Sequence, residues 1–113
     1  MDEQAEATQD SGIVRLDDVI EFSVEKRIRK RIFRTDDIVT ELLCYEPGQG
    51  TPMHHHIKED EVYYVLQGRG TFTVGERKFR CQPRGLYLVP KMVKHGIEND
   101  ADERLVMIFF KKR

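Results

Sequence analysis

Short hydrophobic runs, each closed within a few residues by glycine or proline, constrain this chain more than any other feature. DIVTELLCYE ends at Pro47-Gly48, EVYYVLQ at Gly68 and Gly70, TFTV at Gly75-Glu76, KFRCQ at Pro83 and LYLV at Pro90, with ERLVMIFF after them. Valine, isoleucine, tyrosine, phenylalanine and threonine fit a pleated, half-buried surface, and the glycines and prolines mark turns. No amphipathic helical pattern separates the runs and no internal repeat of fixed period is present. The expected class is all-β, a sandwich or barrel.

At 113 residues the chain is expected to be one domain with a single core, so a functional site must share that core or a subunit interface. Residues 1–12, MDEQAEATQDSG, carry almost no apolar side chain and are expected to be a flexible acidic tail, which leaves 13–113 as the folded domain. IVRLDDVIEFS suits either a short strand or one helical turn. KRIRKRIFRTD alternates basic residues with Ile28 and Ile32, the pattern of a half-buried strand.

Charged residues make up 35% of the chain but balance to a net −1, so global electrostatics gives no reason to expect nucleic acid or an anionic membrane as partner. The basic residues between Lys26 and Arg34 have Asp36, Asp37 and Glu41 nearby and read as a solvated strand face. No apolar run is long enough to span a bilayer. The N-terminus is acidic where a secretory signal is basic and then apolar, so the cytoplasm is the expected compartment. Cys44 and Cys81 are then expected as free thiols packed as small apolar residues.

Three consecutive histidines stand at 54–56. On an extended backbone His54 and His56 share a face, about 6.6 Å apart, while His55 points the other way. Glu61 opens EVYYVLQ after the turn IKED, and a hairpin returning from that turn would bring its carboxylate beside both imidazoles, with Glu59 and Asp60 left in the turn. His95 lies in a distant strand-like region and could reach the same point across a closed barrel. By parity Tyr63 shares the face of Glu61 and Tyr64 faces outward. Tyr45, Met53, Tyr63, Met107 and Phe109 are candidates to line a cavity. An H-x-H pair alone is more often a surface feature than a ligand pair; the wider spacing changes the weighing.

Gly48, His54, His56, Glu61 and Gly68 stand at the spacing G-x5-H-x-H-x4-E-x6-G, which resembles the first cupin motif at every defined position. Gly85, Pro90, His95 and Asn99 resemble the second, G-x5-P-x-G-x2-H-x3-N. It departs in having four residues between Gly85 and Pro90 and Met92 where the family usually has glycine. The resemblance, over roughly residues 38–110, implies a single-domain jelly-roll β-barrel holding one metal through His54, His56, Glu61 and His95.

Three neutral imidazoles and a carboxylate suit Fe, Mn, Ni, Co, Cu or Zn, and a six-coordinate ion so held would keep two positions open. The first expectation is therefore a metal-dependent enzyme acting on a small molecule, an oxygenase before an isomerase or lyase, with Glu61 and Tyr63 as the candidate catalytic residues. A non-catalytic small-ligand sensor comes second, and a metal that only staples the barrel third. A small open barrel also leaves edge strands that IRKRIF or RLVMIFF could cover in a two-fold homodimer.

Overall fold

The computed structural model describes residues 12–54 and 58–113. The expected tail, apart from Gly12, falls outside the described residues, as do His55 and His56. One short helix, α1 (Leu16–Val19), precedes β1 (Ile28–Arg34), β2 (Ile38–Tyr45), β3 (Gly50–His54), β4 (Glu61–Gln67) and β5 (Gly70–Val74). There follow β6 (Arg77–Cys81), β7 (Leu86–Val89), β8 (His95–Glu98) and β9 (Leu105–Lys112). They form two antiparallel sheets, a five-stranded one in the order β1-β2-β9-β4-β7 and a four-stranded one in the order β3-β8-β5-β6. β1–β2 and β5–β6 pair within a sheet and every other connection crosses between the sheets, as in a jelly roll, and the all-β expectation holds.

Two apolar layers follow from the alternation of side chains along the strands. The inner faces enclose Leu43, Tyr45, Val65, Phe72, Leu105 and Met107. Ile28, Ile32, Leu42, Cys44, Val106 and Ile108 sit on the outer face of the larger sheet, where Val14, Leu16, Val19, Ile20 and Phe22 cover them. The ambiguous segment IVRLDDVIEFS is thus a single helical turn in a strap across the outside. Under that strap β2 is buried on both faces from Val39 to Tyr45, which is why Leu42–Tyr45 shows no polar alternation, while Thr40 and Glu41 are buried polar positions. Cys44 belongs to the outer layer and Cys81 to the inner, both as free buried thiols.

β1 and β7 are the edges of the larger sheet, whereas β9 lies between β2 and β4. RLVMIFF is therefore a central strand, and the expectation that it could cover an exposed edge is corrected: both of its sides are already hydrogen-bonded.

The motif positions outside the histidines have structural explanations. Gly68 has φ +88°, and a Cβ there would strike the Arg104 carbonyl. Met92, standing where the resemblance expects glycine, adopts φ +68°, so the turn keeps the left-handed geometry that glycine provides and a methionine bears it. Asn99 is fully buried. Its amide donates to the carbonyls of Tyr45 and Glu103 and accepts from the Ala101 N–H, joining the β8–β9 turn to the end of β2.

Candidate metal centre

Strand register aligns the inward side chains of the larger sheet in rows. One row runs Arg34, Val39, Lys111, Glu61, Val89; the next runs Arg31, Glu41, Phe109, Tyr63, Tyr87. In the smaller sheet His54 stands directly opposite His95. These polar positions border a cavity of about 760 Å3 that His54, Glu61, Tyr63 and His95 all line. Of the apolar candidates Met53 and Phe109 line it as well, while Tyr45 and Met107 are packed in the inner core.

The structure brings His54, Glu61 and His95 to one cavity by a different route from the one expected. β3 and β4 are in different sheets, so Glu61 does not return beside His54 on a hairpin; it projects from the facing sheet. His95, expected from across the interior, is instead the lateral neighbour of His54, with ring centroids 4.1 Å apart. A bulge between Thr51 and His54 puts an extra residue into β3, which brings both Thr51 and His54 to the cavity.

Glu61 and His95 are buried, and Oε1 of Glu61 lies 3.4 Å from Nε2 of His95. The Tyr63 hydroxyl donates to the same Oε1 at 2.9 Å and lies 3.5 Å from His95 Nε2. Burial alone would raise the Glu61 carboxyl, but the contacts with His95 and Tyr63, with the charge of Lys111, outweigh it and hold the carboxyl below its usual range. Burial, then the adjacent Glu61 carboxylate, push the Tyr63 phenol far upward, so it stays protonated as a donor. Its ring is fixed against Phe72 and Phe109, at 4.9 and 5.0 Å between centroids. Tyr64 faces the outer layer, as parity predicts.

Two features of these residues are of the kind found in metal centres. Nδ1 of His54 contacts the Pro52 carbonyl at 3.0 Å and Nδ1 of His95 the Val93 carbonyl at 3.3 Å. A carbonyl only accepts, so each contact places a proton on Nδ1; in the neutral ring Nε2 then keeps its lone pair, the backbone support usual behind ligating histidines. Nε2 of His95 faces the carboxylate oxygen of Glu61, a contact that either a proton on Nε2 or a cation between the two atoms makes favourable. Two donors each about 2.1 Å from one ion sit about 3.0–3.4 Å apart, which matches the Glu61–His95 spacing. Among the described residues no group of three or more His, Cys, Asp or Glu side chains is close enough to hold an ion, and His56, the remaining expected ligand, lies outside them.

The basic run keeps a solvated character, with the Arg29 side chain 51% exposed, but it also borders the cavity. Lys30 points outward to Glu21, but Arg27, Arg29, Arg31 and Arg34 line the cavity. The sequence signal was present: if Ile28 and Ile32 pack on the outer layer, the arginines between them face inward. Glu41, buried between Arg29 and Arg31, and Lys111, beside Glu61, carried no motif and were missed.

A two-layered antiparallel jelly roll with histidines and a carboxylate clustered at one mouth defines a small double-stranded β-helix protein. Residues 41–111 match the family model for the cupin domain Cupin_2, and the chain belongs to that family. It is 29% identical over 111 residues to the oxalate decarboxylase of Bacillus subtilis, covering 94% of this chain and 26% of that protein. An uncharacterised protein of Methanocaldococcus jannaschii is 36% identical over 52 residues, 46% of this chain and 42% of that one. The chain thus spans less than half the length of either relative. Among solved structures, TT1209 of Thermus thermophilus superposes with a TM-score of 0.84 at 25% identity, covering 88% of this chain and 95% of that one. No helix among the described residues is long and apolar enough to cross a membrane.

Proposed function

We propose that the chain is a metal-dependent enzyme that turns over a small molecule in the cavity bordered by His54, Glu61 and His95, as an oxygenase in the first reading. The observation that carries this is the pair of imidazoles whose Nδ1 atoms are tied to backbone carbonyls, with Nε2 of His95 set against an ionised buried carboxylate. His54, His56, Glu61 and His95 would hold the ion. A divalent transition metal there would supply Lewis-acid chemistry and, if redox-active, electron transfer.

The chain's own groups have separate tasks. Tyr63 donates to Glu61 and fixes the face that the carboxylate presents; it is a positioning residue, since its hydroxyl is spent on Glu61. Phe72 and Phe109 pack against the Tyr63 ring and keep water from its far side. Lys111 lies beside Glu61 and lowers the cost of a second anion there. The likeness to a decarboxylase favours a lyase as the second reading. The homodimer remains a proposal. Its candidate surface is the β7 edge, where Leu86 and Leu88 are exposed beside Val62, and light scattering measures it.

Elemental analysis of freshly purified protein tests the centre. Stoichiometric metal is expected in the parent and in His55→Ala, and less than about a third of it in His54→Ala, His56→Ala and His95→Ala. Oxygen uptake and product formation across a substrate panel, with the matched metal, then separate oxygenase from lyase. Full metal with neither activity refutes the enzyme.

A further inference from the structure

The cavity is strongly cationic in a chain that is nearly neutral. Among the described residues lining it, eight lysine and arginine side chains stand against three carboxylates, an excess of five positive charges where the whole chain carries −1. Two of the carboxylates are already engaged. Glu41, 2% exposed, takes both Arg29 and Arg31, and Glu61 accepts from Tyr63 beside His95. A bulge in β1 adds to the excess. It inserts Ile32 between the paired residues Arg31 and Phe33, so that Ile32 and Phe33 both pack outward and Arg34 turns into the cavity beside Val39. Strict alternation would have pointed Phe33 inward and Arg34 outward.

The cationic wall and the candidate metal centre share one space. Arg34 and Glu61 lie in the same register row with Lys111 between them, and the Arg29 guanidinium feels the charge of Glu61. Val39, Leu43, Ile97 and Phe109 give the cavity apolar walls. Cavities of about 300–1,000 Å3 accept ligands of many heavy atoms, so a volume of about 760 Å3 is not matched to a two-carbon diacid.

From this charge, shape and register we infer that the cavity takes an organic anion, a carboxylate or phosphate ester with an apolar body, whose charged group is held by Arg31 and Arg34. Its body lies against Phe109 and Ile97 and its other end reaches His54, Glu61 and His95. The placement of that reacting end rests on the function proposed above; the anion site itself does not. Guanidiniums are suited to the charged group because their planar N–H donors match carboxylate and phosphate oxygens. Buried Glu41 holds Arg31 and Arg29 in place before a ligand arrives.

Calorimetric titration of the parent with phenyl phosphate, phenylacetate and benzyl alcohol, with metal content measured on the same samples, tests this. Both anions are expected to bind and the neutral alcohol to bind at least tenfold more weakly. Arg31→Gln and Arg34→Gln should each raise the Kd for phenyl phosphate about tenfold. Arg34→Lys should restore part of that loss, and Lys30→Gln, on the outward face, should change nothing. Circular dichroism confirms that each variant is folded, and Arg34, on the edge strand, carries the test should Arg31→Gln unfold. Equal binding of alcohol and anions, anion Kd values within twofold of parent in the folded variants, or no anion binding at millimolar concentration each overturns the inference. Anion binding in protein that takes up no metal supports it while refuting the metal reading, so the two fail separately.

Discussion

Replacing Asn99 with alanine separates what the second motif does for the fold from what it does for the site. The Asn99 side chain is fully buried and makes three hydrogen bonds, to the Tyr45 carbonyl at 3.1 Å, the Glu103 carbonyl at 2.9 Å and the Ala101 N–H at 3.2 Å. Alanine removes all three and leaves the Tyr45 carbonyl, inside the core, without this donor. At about 1 kcal/mol per lost bond, plus a share of the desolvation penalty for an orphaned group, the expected cost is about 2–4 kcal/mol. Unfolding entropy of about 2.1 cal/mol/K per residue makes each kcal/mol worth about 4 °C here, so Tm should fall by about 8–16 °C. Asn99 lies four residues beyond His95, about 13 Å along an extended strand, so metal content of the folded variant should match the parent. Scanning calorimetry and elemental analysis on one preparation read both quantities. A Tm loss under about 3 °C would refute the hydrogen-bond reasoning, and a loss of metal from protein that is still folded would show that the asparagine acts on the site.

Three further outcomes follow from other positions. Met92→Gly removes a left-handed non-glycine residue at φ +68°; relief of about 1–2 kcal/mol, less about 0.4–1 kcal/mol of added unfolded-state entropy, should raise Tm by up to about 6 °C. Burial pushes the Tyr45 phenol up to about 12, against the hydrogen bond with Thr51 that lowers it. Its contribution to stability is therefore fully present below about pH 10 and lost as pH rises through 12, up to about 3 kcal/mol. Urea midpoints from pH 9 to 11.5 should fall more steeply in the parent than in Tyr45→Phe. Tyr63→Phe keeps the ring packing on Phe72 and Phe109 and removes the donor to Glu61, so it should stay folded while metal affinity, read by competitive chelation, falls about 10- to 100-fold.

The strands were legible because their information is local. Alternation and glycine–proline punctuation mark β1, β2, β4, β5, β6, β7 and β9 within a residue or two, since a half-buried strand must show one apolar face whatever it pairs with. β3 and β8 carry polar and histidine residues in place of an apolar face, so they emerge only through the motif. Pairing is not local. That β9 is central, or that β3 and β4 belong to different sheets, depends on which hydrogen-bonded edges find each other across most of the chain, and a single sequence holds no direct record of that. The histidine–carboxylate cluster could therefore be named while its geometry was misjudged.

The bulges mark the limit of parity more sharply. Counting by twos from Arg31 gives the wrong face to Arg34, and counting back from His54 gives the wrong face to Thr51, because β1 and β3 each contain one extra residue. Both irregularities lie beside the cavity, and both turn a polar side chain into it where a regular strand would have spent that position outward. Regular alternation is enough to build the apolar core below, whose rows run Leu43–Met107–Val65 without interruption. The bulge between Val65 and Gln67 lies past those rows, away from the mouth. Where the strands leave strict alternation beside the cavity, they do so at the rows that carry charge, so the same local departures that defeat a period-two reading are what concentrate Arg34 and His54 around one space.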